Sequence, residues 1–171
     1  TNAGYVQAIF DDLGFDAVTL HPYLGREALA PFLERADKGC IILCRTSNAG
    51  ARDFQDLDVG GGRKLYQLIA ERVAKEWNRH GNCALVVGAT WPEELADIRA
   101  RTGDVPFLVP GVGAQGGDVE RAVRAGRTTD GGGLMVNSSR GILYAGKDER
   151  FAEAARAATL ALRAAINAAR R

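Results

Sequence analysis

The sequence predicts an α/β fold built on a parallel sheet, and three observations predict it. Short apolar runs with almost no internal alternation recur along the chain, as in strands covered on both faces. Amphipathic stretches at helical spacing separate them, and repeated βα units of that kind wind a parallel sheet. Polar and glycine residues gather just after each apolar run, where both barrels and open α/β sheets place their ligands. A chain of 171 residues that is 46% hydrophobic has the material for one domain with a real core.

The elements follow in order. A first helix is expected over roughly 3–13, with Tyr5, Ile9, Phe10 and Leu13 on one face and Gly14 as its stop. The strand 17–20 comes next, then a helix over about 26–36 and the strand 40–44. A long helix over about 63–79 carries Leu65, Leu68, Ile69, Val73 and Trp77 at helical spacing. The strand 84–87 precedes a helix opened by Pro92, with Glu93 and Glu94 at its positive end. The strand 106–109, a helix near 117–125 and the strand 134–136 follow. An alanine-rich helix over about 148–170 closes the chain, with good propensity throughout. The glycine cluster Gly60-Gly61-Gly62 ends a long loop, about 47–62, which is a candidate mobile lid.

Composition excludes several function classes. A net charge of +1 lacks the basic face that phosphate-backbone binding needs, so nucleic acid is not the expected partner. No apolar run reaches 18 residues, and no basic region leads into an apolar one, so neither a membrane span nor a signal peptide is expected. Cys40, Cys44 and Cys83 are odd in number and lack C-x-x-C spacing. They read as small buried hydrophobes in a reducing compartment, and the expected location is cytoplasmic. With only His21 and His80 besides, a zinc cage is not expected. The opening Thr1-Asn2-Ala3-Gly4 has no initiator methionine and runs straight into a helical pattern, like a chain that begins partway through a fold.

One loop raises the question of chemistry. After the strand 106–109, Gly111-Val112-Gly113-Ala114-Gln115-Gly116 matches the dinucleotide spacing G-x-G-x-x-G. A ribose diol would need a carboxylate after the next strand, but that strand ends in Asn137-Ser138-Ser139-Arg140. An arginine there suits a phosphate, including the 2′-phosphate of a phosphorylated nicotinamide cofactor. The glycine loop comes late, however, whereas a dinucleotide fingerprint sits in the first βα unit. In (β/α)8 barrels a phosphate site often forms from the last two strand-to-helix loops. Here those loops offer backbone N–H groups around Gly113, Gly116 and Gly117, the amide of Gln115 and the planar guanidinium of Arg140.

Five segments, in order, then resemble one family. They are 16–25 (DAVTLHPYLG), 43–51 (LCRTSNAGA), 86–90 (VVGAT), 110–118 (PGVGAQGGD) and 137–144 (NSSRGILY). Together they are similar to orotidine 5′-phosphate decarboxylase, nearest to its longer bacterial type, across nearly the whole chain. The resemblance implies a homodimeric (β/α)8 TIM barrel, a carboxy-lyase that converts orotidine 5′-monophosphate to UMP and CO2 in de novo pyrimidine synthesis without cofactor or metal. It implies that Gln115 and Arg140 grip the 5′-phosphate with the backbone N–H of Ser139, and that Gln115 bridges to the pyrimidine O2. Ser47 would bond the base edge, and Thr1 would reach the ribose in the partner subunit's site. His21 stays unassigned.

The chain departs from the family in two respects. The family's Asp-x-Lys-x-x-Asp motif is absent, so no catalytic residue is assigned, and five strands stand where a barrel has eight. Residues 1–171 are therefore expected to be the carboxyl-terminal part of a single barrel domain, carrying the phosphate- and base-binding half of a site. Two other readings stay open. One is a different sugar-phosphate barrel enzyme. The other is a truncated, non-catalytic nucleotide-phosphate-binding or assembly module.

Overall fold

A computed structural model describes residues 1–112 and 118–171. Five strands, β1 (Ala17–Leu20), β2 (Gly39–Arg45), β3 (Cys83–Val87), β4 (Phe107–Val109) and β5 (Leu134–Val136), pair in parallel in the order β1-β2-β3-β4-β5. Each strand lies beside its predecessor, so the order never reverses. A doubly wound sheet binds its dinucleotide where the order reverses, and this sheet has no such switch point. An unreversed run of βα units is an arc of a (β/α)8 barrel.

Register decides what each face does. Val18, Cys40 and Cys83 align across the first three strands, as do Leu20, Ile42, Leu85 and Phe107 across the first four. Apart from the partly covered Val18, these rows are buried with helix residues such as Phe10, Phe32, Tyr66, Val73 and Ile98 in one core. The alternate row, Thr19, Ile41, Ala84, with Leu43, Val86, Leu108 and Met135 one layer higher, faces the other way. All three cysteines are free and buried, with burial pushing the thiols of Cys40 and Cys44 up to about 12 and that of Cys83 up to about 11.

The helices are α1 (Asn2–Val6), α2 (Gly25–Leu33), α3 (Arg52–Gln55), α4 (Leu65–Arg72), α5 (Pro92–Thr102), α6 (Val119–Gly126), α7 (Ser139–Leu143) and α8 (Phe151–Ala169). Two of them run on into π turns, Gln7–Asp12 and Val73–Trp77, and these shift the apolar faces expected from a regular 3.6 period. In the first helix Val6 and Phe10 are buried, while Tyr5 and Leu13 stand 58% and 67% exposed. In the long helix the buried row is Tyr66, Ala70, Val73 and Trp77, with Leu65, Leu68 and Ile69 only partly covered.

Backbone chemistry sets the clearest helix boundaries. Pro92 opens α5, and Gly103 closes it at φ 59°, in the left-handed region that favours glycine. The stretch 47–62 is not structureless, since it holds the 3-10 turn Ala49–Ala51 and then α3. The segment after β5 likewise coils at once into α7 rather than staying a loop.

At the amino ends of the strands, Arg99 ties α5, α6 and the entries to β4 and β5 together. Its guanidinium donates to the carbonyls of Gly126 (2.8 Å), Gly103 (2.5 Å), Val105 (2.7 Å) and Gly133 (3.3 Å) and lies 3.8 Å from the ring centroid of Phe107. Burial lowers its pKa, with Asp104 opposing.

Candidate substrate site at the carboxyl ends of the strands

Strand ends are laced together by backbone bonds. Gly88 N–H donates to Arg45 O (2.8 Å), Ala89 N–H to Pro110 O (2.9 Å) and Asn137 N–H to Val109 O (3.3 Å). The loops that follow β2, β3, β4 and β5 therefore start side by side, and two clefts open among them.

The first cleft, about 100 Å³, is lined by Pro110, Gly111, Val112, Asn137, Ser138, Ser139 and Arg140. It brings together the last two strand-to-helix loops, as the phosphate reading requires. Gly111 turns the chain here at φ 90°, which no side-chain-bearing residue adopts cheaply. Ser139 is the first residue of α7, and both it and Arg140 are exposed. The other phosphate-loop residues expected to act here, Gly113, Gln115, Gly116 and Gly117, lie outside the described residues. Beyond them Asp118 caps α6, its carboxylate accepting from Arg121 N–H at 3.0 Å. That first-turn N–H of α6 is thus already taken.

The second cleft, about 300 Å³, is lined by residues from Arg45 to Asn48, by Ala49, Ala51 and Arg52, and by Thr90 and Trp91. Ser47 sits in it, half-buried, against the backbone of Gly88. A Cβ on Gly88 would lie 3.0 Å from Ser47 Cβ and 3.1 Å from its nitrogen, so a larger residue there would push the Ser47 loop back by a few tenths of an ångström. Arg52 stacks over the Trp91 ring at 5.1 Å. The Thr90 hydroxyl is buried and has no hydrogen-bond partner among the described residues.

Sequence reading missed the residue that organises this cleft. β2 runs one residue past the expected end, and its register slips between Leu43 and Arg45. The bulge breaks alternation, so Cys44 and Arg45 are both buried. The guanidinium of Arg45 turns toward α5, donating to Glu94 from Nε (2.6 Å) and Nη2 (2.9 Å), and pairs with Asp56 at 3.1 Å. Tyr66 lies beneath it, its ring centroid 5.0 Å away. Burial alone lowers the pKa of Arg45, but Glu94 and Asp56 outweigh it and hold the group charged. The same burial, together with Glu94 and Asp97, pushes the Tyr66 phenol up to about 12. The signal available in the sequence was an arginine ending an apolar run, which reads more simply as a loop residue.

The remaining expectations fall elsewhere. Thr1 is exposed at the start of α1, where its carbonyl accepts from Tyr5 N–H at 3.2 Å. His21 caps the 3-10 turn Pro22–Leu24, its Nδ1 accepting from Tyr23 N–H at 3.2 Å. It also lines a larger apolar pocket of about 650 Å³ with Tyr23, Leu43, Phe54 and Ile69.

Five parallel βα units in unreversed order, with polar loops gathered at the carboxyl ends of the strands, place the chain among (β/α)8-barrel proteins. The family model for orotidine 5′-phosphate decarboxylase / HUMPS matches residues 1–155, and the chain belongs to that family. It is 60% identical over 164 residues to an orotidine 5′-phosphate decarboxylase of Azoarcus sp. strain BH72, covering 96% of this chain and 60% of the relative. It is 56% identical to that of Thermomicrobium roseum, covering 97% and 59%. Among solved structures it matches Leishmania donovani UMP synthase at TM-score 0.88 and 43% identity, over 98% of this chain and 36% of that one. It also matches L. donovani OMP decarboxylase at 0.83 and 41%, over 96% and 62%. The chain thus spans about three-fifths of the length of the curated relatives it matches. No helix among the described residues is long and apolar enough to cross a membrane.

Proposed function

We propose that this chain carries the phosphate- and base-binding half of a site that decarboxylates orotidine 5′-monophosphate to UMP and CO2. One observation carries the reading most directly. The cleft that joins the loops after β4 and β5 is lined by Ser139 and Arg140, in a chain whose relatives are named for that reaction.

In this reading Arg140 and Gln115 hold the 5′-phosphate, with the Ser139 N–H and the glycine loop at Gly113, Gly116 and Gly117. Arg140 contributes a planar charged donor, which suits two phosphate oxygens at once. Ser47 bonds the edge of the base, and Thr1 serves the ribose of a ligand bound across a homodimer. The phosphate lies remote from the reacting carbon. Its binding energy acts by fixing the ring and ordering loops before CO2 leaves, which lowers the barrier of the chemical step. Residues 1–171 assign no proton donor to that carbon. The protein acts in the cytoplasm on a small molecule.

The test is Arg140→Ala in the full-length natural protein. Loss of a bidentate charged contact should raise KM for orotidine 5′-monophosphate by roughly a hundredfold. It should weaken UMP and ribose 5-phosphate alike. Wild-type handling of the substrate by this variant would refute the phosphate assignment. Equal wild-type affinity for UMP and a bare pentose phosphate would favour a sugar-phosphate enzyme instead.

A further inference from the structure

We infer that Gln55 is a positioning residue for base recognition: its side-chain amide, seated beside Arg45, clasps Thr46 and through it holds Asn48, the two residues that flank Ser47. The inference rests on the proposed role of Ser47.

The orientation of the amide follows from its partners. Thr46 N–H is only a donor, so the atom 3.0 Å from it must be the carbonyl oxygen of Gln55. The NH2 group then faces Thr46 Oγ1 at 2.9 Å and donates to it. That leaves the Thr46 hydroxyl free to donate onward, and it does so to Asn48 Oδ1 at 2.6 Å. One directed relay therefore runs from Gln55 through Thr46 to Asn48 and spans Ser47. The Gln55 carbonyl is also 3.5 Å from Arg45 Nη1, so the start of the relay sits against the ion cluster of Arg45, Glu94 and Asp56.

Three constraints then converge on one residue. The relay fixes the backbone before Ser47 and the side chain after it. The bulge in β2 sets the direction in which the chain leaves the strand. Gly88 packs tightly against Ser47, where an added Cβ would meet it at 3.0–3.3 Å. A serine on an irregular loop has many rotamer and backbone choices, and a hydrogen bond to a base edge demands one of them. Such preorganisation raises affinity and selectivity without Gln55 touching the ligand. Gln55 lies on α3, whose register with Thr46 is not visible from spacing alone.

The experiment compares two ligands in the full-length natural protein. UMP reports base and phosphate together, and ribose 5-phosphate reports phosphate without base. Gln55→Leu removes both ends of the clasp, and Thr46→Val cuts it in the middle. Each is expected to weaken UMP by about tenfold while leaving ribose 5-phosphate within about twofold, with the double variant losing no more than either single one. If Gln55→Leu does not fold, Thr46→Val reads the same relay. UMP affinity within twofold of wild type in a folded variant would overturn the inference. So would an equal loss for both ligands, which is the mark of general loosening. A wild-type protein that binds ribose 5-phosphate no less tightly than UMP would remove the base reading, and the clasp with it.

Discussion

Two arginines hold opposite ends of this sheet, and they hold them differently. Arg99, at the amino ends of the strands, bonds four main-chain carbonyls and stacks on Phe107. Its partners are backbone atoms of α5, α6 and the strand entries, which do not change rotamer. The guanidinium of Arg45, at the carboxyl ends, bonds only side chains among the described residues: Glu94, Asp56 and, at longer range, Gln55. Those partners sit on α5 and on the segment after β2. Thr90 Oγ1, a buried side-chain polar atom without a partner among the described residues, lies at Arg45's end, in the loop after β3. One end is closed by main chain. The other is held by side chains, which can adjust, and keeps one buried hydroxyl in reserve beside the cleft.

The contrast is broken most severely by Arg99→Met. Methionine keeps much of the aliphatic bulk but abandons the four carbonyls. Stability should fall by about 3 kcal/mol, seen as a lower urea midpoint at unchanged slope. UMP affinity of the folded protein should stay within twofold, because the rim is untouched. A matching drop in affinity would mean that the two ends are coupled.

Arg45→Met should cost less stability and more function. Glu94 and Asp56 keep 21% and 24% of their side-chain surface exposed, so water partly compensates them when the guanidinium is gone. The expected loss is about 2 kcal/mol by the same denaturation measurement. UMP binding should weaken by at least as much as in Gln55→Leu, since the clasp loses its base, while ribose 5-phosphate binding holds. If UMP affinity stayed at the wild-type level, Arg45 would be structural in the same sense as Arg99.

What was legible in the sequence divides along the same line. All five strands were visible because each is a short β-branched or apolar run bounded by turns, and their order is the simplest available. Pro92 announced the start of α5 through backbone chemistry that depends on no distant partner. That the last two strand-to-helix loops lie side by side was legible from the order of the βα units, and the structure sets Ser139 and Arg140 beside Pro110–Val112. Arg45 and Gln55 were not legible. Their roles arise from a one-residue bulge and from α3, a four-residue helix that has no periodicity to detect. The π turns misplaced Tyr5 and Leu13 for a related reason, because a wider turn changes which side chains share a face. His21, which the sequence left unassigned, serves as a turn cap.

Thr90→Val probes the smallest of these differences and runs in the opposite direction. Valine has nearly the shape of threonine, so packing is conserved and only the hydroxyl is lost. A buried hydroxyl without a partner carries a desolvation penalty of roughly 1–3 kcal/mol, part of which entropy and local water recover. Its removal should therefore stabilise the ligand-free protein by about 0.5–1 kcal/mol, read as a rise in the urea midpoint. The hydroxyl lines the same cleft as Ser47, so UMP affinity should fall slightly, by about twofold to threefold, if the group or a water on it meets the ligand. A gain in stability paired with a loss in binding is the sign of a rim strained for its ligand. A loss of stability would mean that the hydroxyl is satisfied in the free protein, and the two ends of the barrel would then differ only in which atoms bond their arginines.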